Sequence, residues 1–175
     1  YSKDVHFVHA VCLDSNINDG TYEILTVCEK QSADKGGSEK EKDYFLCVES
    51  EKSFDRALDK LIKKYTNSYY ASNTIYFLRD FTDEKTLNEI AVFISKSNIL
   101  PSKAQAVIIS NTEPYDLLCT IKSQEDIKKI IKLTSSKKTN IIRFLAESNN
   151  EKLKNQVPHL TLKKNKKNIE LFKKQ

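Results

Sequence analysis

Apolar runs and turn residues at the start of the chain predict three strands. The first run, residues 5–13, is rich in β-branched and aromatic side chains, and the second spans residues 21–28. Asn18-Asp19-Gly20 lies between them, and Asp-Gly is a typical turn of a β-hairpin. A charged stretch without apolar periodicity, residues 29–42, precedes a third run at residues 43–48. These patterns predict a three-strand meander with a long loop before its third strand.

The middle of the chain alternates between helical and strand-like patterns. Ser53 can cap a helix whose apolar residues recur at one-turn spacing through Tyr65. Continuous apolar runs at residues 74–78 and 104–109 are typical of strands buried on both sides. Between these two runs, Thr82 or Asp83 is predicted to open a second amphipathic helix.

The pattern beyond residue 110 is less uniform. Residues 115–121 fit either a strand or a helix, whereas Ser123 begins a helix-start pattern. Asn140 is predicted to cap a short helix, and residues 168–174 could form a last amphipathic helical turn.

This order predicts an α/β fold, in which a three-strand meander is followed by alternating helix and strand. The sheet would be mixed and flanked by helices. We expect an α/β domain over residues 1–135 and a helical, lysine-rich C-terminal extension over residues 136–175. No run approaches the roughly 18 to 20 uncharged apolar residues of a membrane span, so an intracellular chain without membrane attachment is expected.

The charge is concentrated near the C-terminus. The chain carries a formal charge of +5, yet residues 151–175 alone hold eight lysines and two acids, which leaves about −1 for residues 1–150. A phosphate-binding or nucleic-acid-binding extension is one interpretation, and an ordinary solvated lysine-rich surface is the other. The candidate nucleic-acid-binding residues are Lys152, Lys154, Lys163, Lys164, Lys166 and Lys167.

The usual signatures of cofactor and metal chemistry are absent from the sequence. The cysteines Cys12, Cys28, Cys47 and Cys119 have no C-x2-C spacing and lie among apolar neighbours, which predicts buried thiols in a reducing compartment. His6 and His9 are three positions apart on a predicted strand and should face opposite sides. With no phosphate-cradling glycine loop, nucleophile elbow or H-E-x-x-H, no cofactor or small-molecule substrate is expected.

Acidic residues at strand ends are the remaining candidates for chemistry. Asp14, Asp43, Glu49, Glu51 and Asp80 all lie where a predicted strand begins or ends. Carboxylates clustered in this way hold Mg²⁺ in two-metal nucleases. Acids also occur at strand ends simply because solvent begins there, so both interpretations stay open.

The third strand resembles a nuclease motif. Asp43-Tyr44-Phe45-Leu46 followed by Val48-Glu49-Ser50-Glu51-Lys52 and a helix is similar to the XPF-type structure-specific endonucleases of the PD-(D/E)xK class, over about residues 1–135. Lys42 replaces the family's glycine, the spacing is shorter, and Glu51 stands where the catalytic lysine is expected. The resemblance therefore implies vestigial nuclease-site positions at Asp43, Glu49, Glu51 and Lys52.

Such degraded copies act as the non-catalytic half of a heterodimer. By resemblance, this chain would pair with a second, XPF-family-like chain and bind branched or structured DNA in recombination or repair. One such pair in budding yeast promotes meiotic crossovers, and the Lys, Asn, Ile and Ser richness of this chain is compatible with that type. The resemblance therefore implies a nuclear protein whose nuclease site is degraded.

A second resemblance rests on Asp14 and on the run Ile75-Tyr76-Phe77-Leu78-Arg79-Asp80. An aspartate ending strand 1 and a later strand ending in Arg-Asp are similar to the RNase H-like fold of Piwi domains in Argonaute proteins. This resemblance implies a metal-dependent nuclease with Mg²⁺ or Mn²⁺ at Asp14 and Asp80, and a helical carboxylate at Asp55 or Asp59. The third alternative is an α/β protein-interaction domain with no nucleic-acid role.

Overall fold

A computed structural model describes residues 4–31, 43–147, 156–163 and 168–172. The strands in these ranges are β1 (Val5–Asn16), β2 (Thr21–Gln31), β3 (Asp43–Glu51), β4 (Ser68–Tyr69), β5 (Ile75–Arg79), β6 (Gln105–Ile109), β7 (His159–Lys163) and β8 (Asn168–Phe172). The α-helices are α1 (Phe54–Lys64), α2 (Glu84–Lys96), α3 (Pro114–Leu118), α4 (Gln124–Thr134) and α5 (Ile141–Ala146).

The strands form one mixed sheet in the order β3-β2-β1-β5-β6-β7-β8, and the short β4 pairs with β1. β1, β2 and β3 are an antiparallel meander. β1, β5, β6 and β7 are parallel neighbours, and β8 returns antiparallel to β7. The predicted α/β fold with a mixed sheet flanked by helices is therefore confirmed.

Helices cover both faces of the sheet. On one face, α1, α2 and α5 contribute Phe54, Ile90 and Phe144 to a core that also contains Tyr76 from β5. On the other face, α3 and α4 pack their apolar residues against Phe77. Successive residues of β5 thus enter opposite cores, as the two-residue period of a strand requires. The result is a three-layer arrangement with the sheet in the middle.

The prediction of a helical C-terminal extension is wrong at β7 and β8. α5 is the one predicted helix found in the extension, capped by Asn140, whose side chain accepts the Ile142 N–H at 2.8 Å. The next described elements are the strands β7 and β8, because the edge of β6 pairs with β7. Ile108 N–H donates to the Pro158 carbonyl at 2.9 Å, and Ser110 N–H donates to the Leu160 carbonyl at 2.9 Å.

The predicted helical turn at residues 168–174 is likewise wrong, since Asn168–Phe172 pairs with β7. The described residues beyond 135 also share the core of the sheet. Ile141, Phe144 and Val157 belong to the same buried cluster as Tyr76. These residues pack as part of the α/β unit.

Residues 115–121, which fit either a strand or a helix by sequence, contain most of the short helix α3, which ends at Leu118. Cys12, Cys28 and Cys47 are buried free thiols, as predicted, but Cys119 is exposed because it follows the last turn of α3.

In the described part of the chain, no helix is long and apolar enough to cross a membrane.

Side-chain caps fix where the long helices begin. The Ser53 hydroxyl accepts the Arg56 N–H at 3.2 Å at the start of α1. We expect Ser53→Ala to lower the free energy of unfolding by about 1 kcal/mol, because one helix N–H loses its partner. Urea unfolding should show this change, whereas Ser95→Ala, at an exposed serine inside α2, should stay within about 0.5 kcal/mol. Equal effects of the two substitutions would contradict the capping role.

Candidate functional site

A cavity lies where the chain leaves the sheet in two directions. After β5 it turns to α2 on one face, and after β6 it turns to α3 on the other. In open α/β sheets, ligand crevices form beyond the carboxyl ends of the strands. The cavity found here is called the switch-point cavity because the chain changes face between β5 and β6, and it has a volume of about 410 Å³. Its lining includes Arg79, Asp80, Phe81, Asn111, Glu113 and Asp116.

An ion pair between the buried Asp14 and the half-buried Arg79 joins the ends of β1 and β5 beside this cavity. β1 and β5 are parallel, with Cys12 opposite Phe77, and this register brings Asp14 level with Arg79. Arg79 Nε and Nη2 donate to Asp14 Oδ2 at 3.2 and 3.1 Å, and Nε lies 3.4 Å from Oδ1. Asp14 is only 6% exposed. The guanidinium therefore occupies both oxygens of a carboxylate that has little contact with water.

The same guanidinium also binds an acid on the far side of the cavity. Arg79 Nη2 donates to Glu113 Oε2 at 2.7 Å, and Nη1 donates to Oε1 at 3.1 Å. These hydrogen bonds hold the pKa of Glu113 below its usual value. In turn, the pKa of Arg79 is raised above its usual value by Glu113, which has the larger effect, and by Asp14. Burial of the guanidinium opposes this rise. Arg79 is therefore a fixed cation that bridges two acids.

This bridge predicts a small pH dependence of stability. The pKa of Glu113 is depressed in the fold, so its stabilising effect is present above the unfolded pKa of about 4.3 and is lost as the pH falls through the folded value. The Glu113 side chain is 66% exposed, so we expect less than about 1 kcal/mol. Urea unfolding of wild type and Glu113→Gln should differ at neutral pH and converge in acid. A difference that grows in acid would contradict the bridge.

A second chain of hydrogen bonds connects β5, β6 and β7. Ser110 Oγ donates to Asp80 Oδ2 at 3.1 Å and lies 2.9 Å from His159 Nδ1. Because the serine proton points at Asp80, the donor of the second bond is His159 Nδ1–H. Ser110 is 1% exposed and His159 is 4% exposed. No local sequence pattern connects Ser110 with His159, since the two residues lie 49 positions apart in the chain.

These carboxylates do not fit a two-metal nuclease centre. The Arg79 guanidinium donates to both carboxylate oxygens of Asp14. Asp80 accepts the Phe81 N–H at 3.0 Å through the oxygen that does not bind Ser110. Asp55 and Asp59, the alternatives predicted for one helical carboxylate, are both exposed on α1. Within the described ranges, no group of three or more His, Cys, Asp or Glu side chains could hold a metal ion. A centre of this type needs several carboxylate oxygens free to face the ions.

The XPF-like positions do not form one site. Asp43 and Glu51 pair with Lys30 and Tyr22 of β2, so they lie at opposite ends of β3, roughly 27 Å apart along the strand. Glu51 forms an ion pair with Lys60 at 2.5 Å, and Glu49 lies 3.9 Å from the Lys64 ammonium. Lys52 donates to the Asp19 carbonyl at 3.3 Å. Glu49 and Glu51 are thus each paired with a lysine of α1.

Of the six lysines predicted to bind nucleic acid, the structure describes Lys163. Lys163 ends β7, which runs parallel to β6, so it lies at the same carboxyl edge as the switch-point cavity. Its neighbour Leu162 lines that cavity. The other candidates lie outside the described residues: Lys152, Lys154, Lys164, Lys166 and Lys167.

The two N-terminal histidines face opposite sides of the sheet, as predicted. His6 contacts the rings of Phe45 and Tyr65. His9 lies at an irregularity in the β1–β2 register, stacks on Tyr44 and lies 2.6 Å from Glu29 Oε2. They do not share a site.

No family model matches this chain, and no curated protein or solved structure matches it either. Both resemblances drawn from the sequence therefore remain predictions. The contacts at the carboxyl edge of the sheet are the observations that bear on function.

Proposed function

We propose that this chain is a nuclease-like domain that binds nucleic acid at the carboxyl edge of its sheet without cleaving it. The observation that carries the proposal is the Asp14–Arg79 pair beside Asp80. An aspartate at the end of β1 and Arg-Asp at the end of β5 are the features of the Piwi-type RNase H-like resemblance, and here they are neighbours. The XPF-like positions are instead spread along β3.

The lack of cleavage follows from how the two aspartates are used. A catalytic Mg²⁺ needs carboxylate oxygens that face it, and Asp14 turns its oxygens to a guanidinium that is always charged. Asp80 is hydrogen-bonded to Ser110 and to the Phe81 N–H. Binding of metal would have to displace these partners. The site is therefore organised by protein donors in place of ions.

Nucleic-acid binding is supported by the distribution of charge. Residues 151–175 carry a net charge of +6, while the rest of the chain is close to neutral. β7 lies within this segment and delivers Lys163 to the edge where the switch-point cavity opens. Lysines bind phosphates without reading sequence, so we expect affinity that depends strongly on salt.

Fluorescence anisotropy with single-stranded, duplex and branched oligonucleotides tests this proposal. Changing Lys163, Lys164, Lys166 and Lys167 together to Ala should weaken binding. The slope of log K against log salt between about 50 and 200 mM should fall by about 3 for a single strand, because four phosphate contacts are lost.

A matched control removes four lysines elsewhere. Lys128, Lys129, Lys132 and Lys137 are exposed on α4 and the turn after it, and their change to Ala alters the net charge equally. This control should keep most of the wild-type salt slope. Equal losses in both variants would show general charge attraction, and no binding by the wild type would refute the proposal.

Pairing with a second chain and a role in recombination in the nucleus stay predictions from the XPF-like resemblance. The structure contains one chain, and its contacts do not bear on either.

A further inference from the structure

We propose that the switch-point cavity takes one unstacked nucleobase that carries an exocyclic amino group, as cytosine and adenine do. The inference rests on the proposed nucleic-acid binding and names what that site recognises. It is carried by three features of the cavity, namely an exposed ring, an excess of carboxylates and a size suited to one small group.

The exposed ring belongs to Phe81, which lines the cavity and is 88% exposed. Its backbone has φ 59°, a left-handed conformation that is rare for a bulky residue. The Asp80 carboxylate accepts the Phe81 N–H, and Thr82 N–H donates to the Arg79 carbonyl, so this turn is held by hydrogen bonds. The fold thus presents an aromatic face at a cavity, and such faces stack on bases whatever their sequence.

The charge of the cavity lining favours binding of a base over binding of a phosphate. The ionisable residues are Arg79 against Asp80, Glu113 and Asp116, which gives the cavity a formal charge of −2. Arg79 is already shared between Asp14 and Glu113. A phosphate would be repelled from this lining, whereas an amino group can donate to a carboxylate, as cytosine N4 does to Asp or Glu. The exposed Asp116 is the acceptor that fits this role, since Asp80 and Glu113 already accept from protein donors.

The position of the cavity leaves room for the phosphate outside it. At about 410 Å³, the volume lies at the lower end of small-molecule sites. Lys163 comes directly after Leu162 of the lining and is exposed at the end of β7. A base in the cavity would therefore keep its own phosphate near the rim, on the side of Lys163.

A single tryptophan makes this inference testable. The sequence contains no Trp, so Phe81→Trp places the sole indole at the cavity. We expect its fluorescence to be quenched by an oligocytidine and not by an abasic oligomer with the same number of phosphates. Phe81→Ala should weaken oligocytidine binding at least about fivefold and leave abasic binding unchanged. Val92→Ala, at an exposed apolar residue of α2 outside the lining, is the matched control.

The choice of base gives an independent readout. Oligocytidine should bind about tenfold more tightly than oligothymidine, because thymine offers a carbonyl where cytosine offers an amino group. Equal affinities for the two would overturn the amino-group assignment. If oligomers bind the wild type but Phe81→Ala binds equally well and the tryptophan is not quenched, the base site is refuted while the proposed function stands. If no oligomer binds the wild type, the proposed function fails first.

Discussion

Replacing Arg79 with Met is expected to lower the free energy of unfolding by about 2–4 kcal/mol. The change leaves the Asp14 carboxylate, which is 6% exposed, without its ionic partner at the end of β1. Breaking a buried pair from one side typically costs about 3–5 kcal/mol, and the 38% exposure of the Arg79 side chain reduces this value. Urea unfolding followed by circular dichroism measures the effect.

Two further variants separate the buried contact from the exposed one. Glu113→Gln removes the other partner of Arg79 and should cost less than about 1 kcal/mol, because Glu113 is mostly exposed. Adding Asp14→Asn to Arg79→Met should restore part of the lost stability, since no buried charge is then left unpaired. A loss below about 0.5 kcal/mol for Arg79→Met would show that the pair does not organise this edge.

Leu160→Ala is expected to lower the free energy of unfolding by about 3 kcal/mol. Leu160 in β7 is fully buried in the core that also contains Phe77 and Ile109. Truncating a buried leucine leaves a cavity and loses contacts, at a cost of about 2–5 kcal/mol. Chemical denaturation gives the value.

Leu162→Ala is the matched control on the same strand, at a partly exposed position. It should cost less than half as much. This pair of variants tests whether the residues beyond 135 belong to the core, because in a separate extension both substitutions would be nearly neutral. A loss below about 0.5 kcal/mol for Leu160→Ala would contradict the observed packing.

The elements with strong local signals could be predicted from the sequence. The Asp-Gly turn and the β-branched runs indicate β1 and β2, and β5 appears as a continuous apolar run. Ser53 caps α1, as expected. Asp83, one of the two residues expected to open α2, caps that helix. Such signals lie within a few residues of one another, so no knowledge of the rest of the fold is needed.

The C-terminal strands could not be predicted in the same way. Ile169, Leu171 and Phe172 fit one face of a helical turn as well as a strand, because so short a run supports either period. Pairing of β8 with β7 decides the outcome, and β7 is itself placed by β6, which lies about 50 residues earlier in the chain. Tertiary pairing here overrides a local pattern.

The site was partly visible in the sequence. Asp14, Arg79 and Asp80 were recognisable as residues ending two strands, but only the parallel register of β1 and β5 shows that Arg79 binds Asp14. The same limit applies to Ser110 and His159, whose contact joins β6 to β7. A sequence shows which side chains end a strand, whereas side-chain partners depend on which strands are neighbours.

A cleavage assay under conditions of saturated binding tests the central claim most directly. The wild-type chain is incubated with labelled single-stranded and branched DNA and with RNA, in Mg²⁺, in Mn²⁺ and in a chelator, and the products are separated on a denaturing gel. We predict salt-sensitive binding and intact nucleic acid in every condition. Metal-dependent cleavage by the wild type that is abolished in Asp80→Ala would contradict the account.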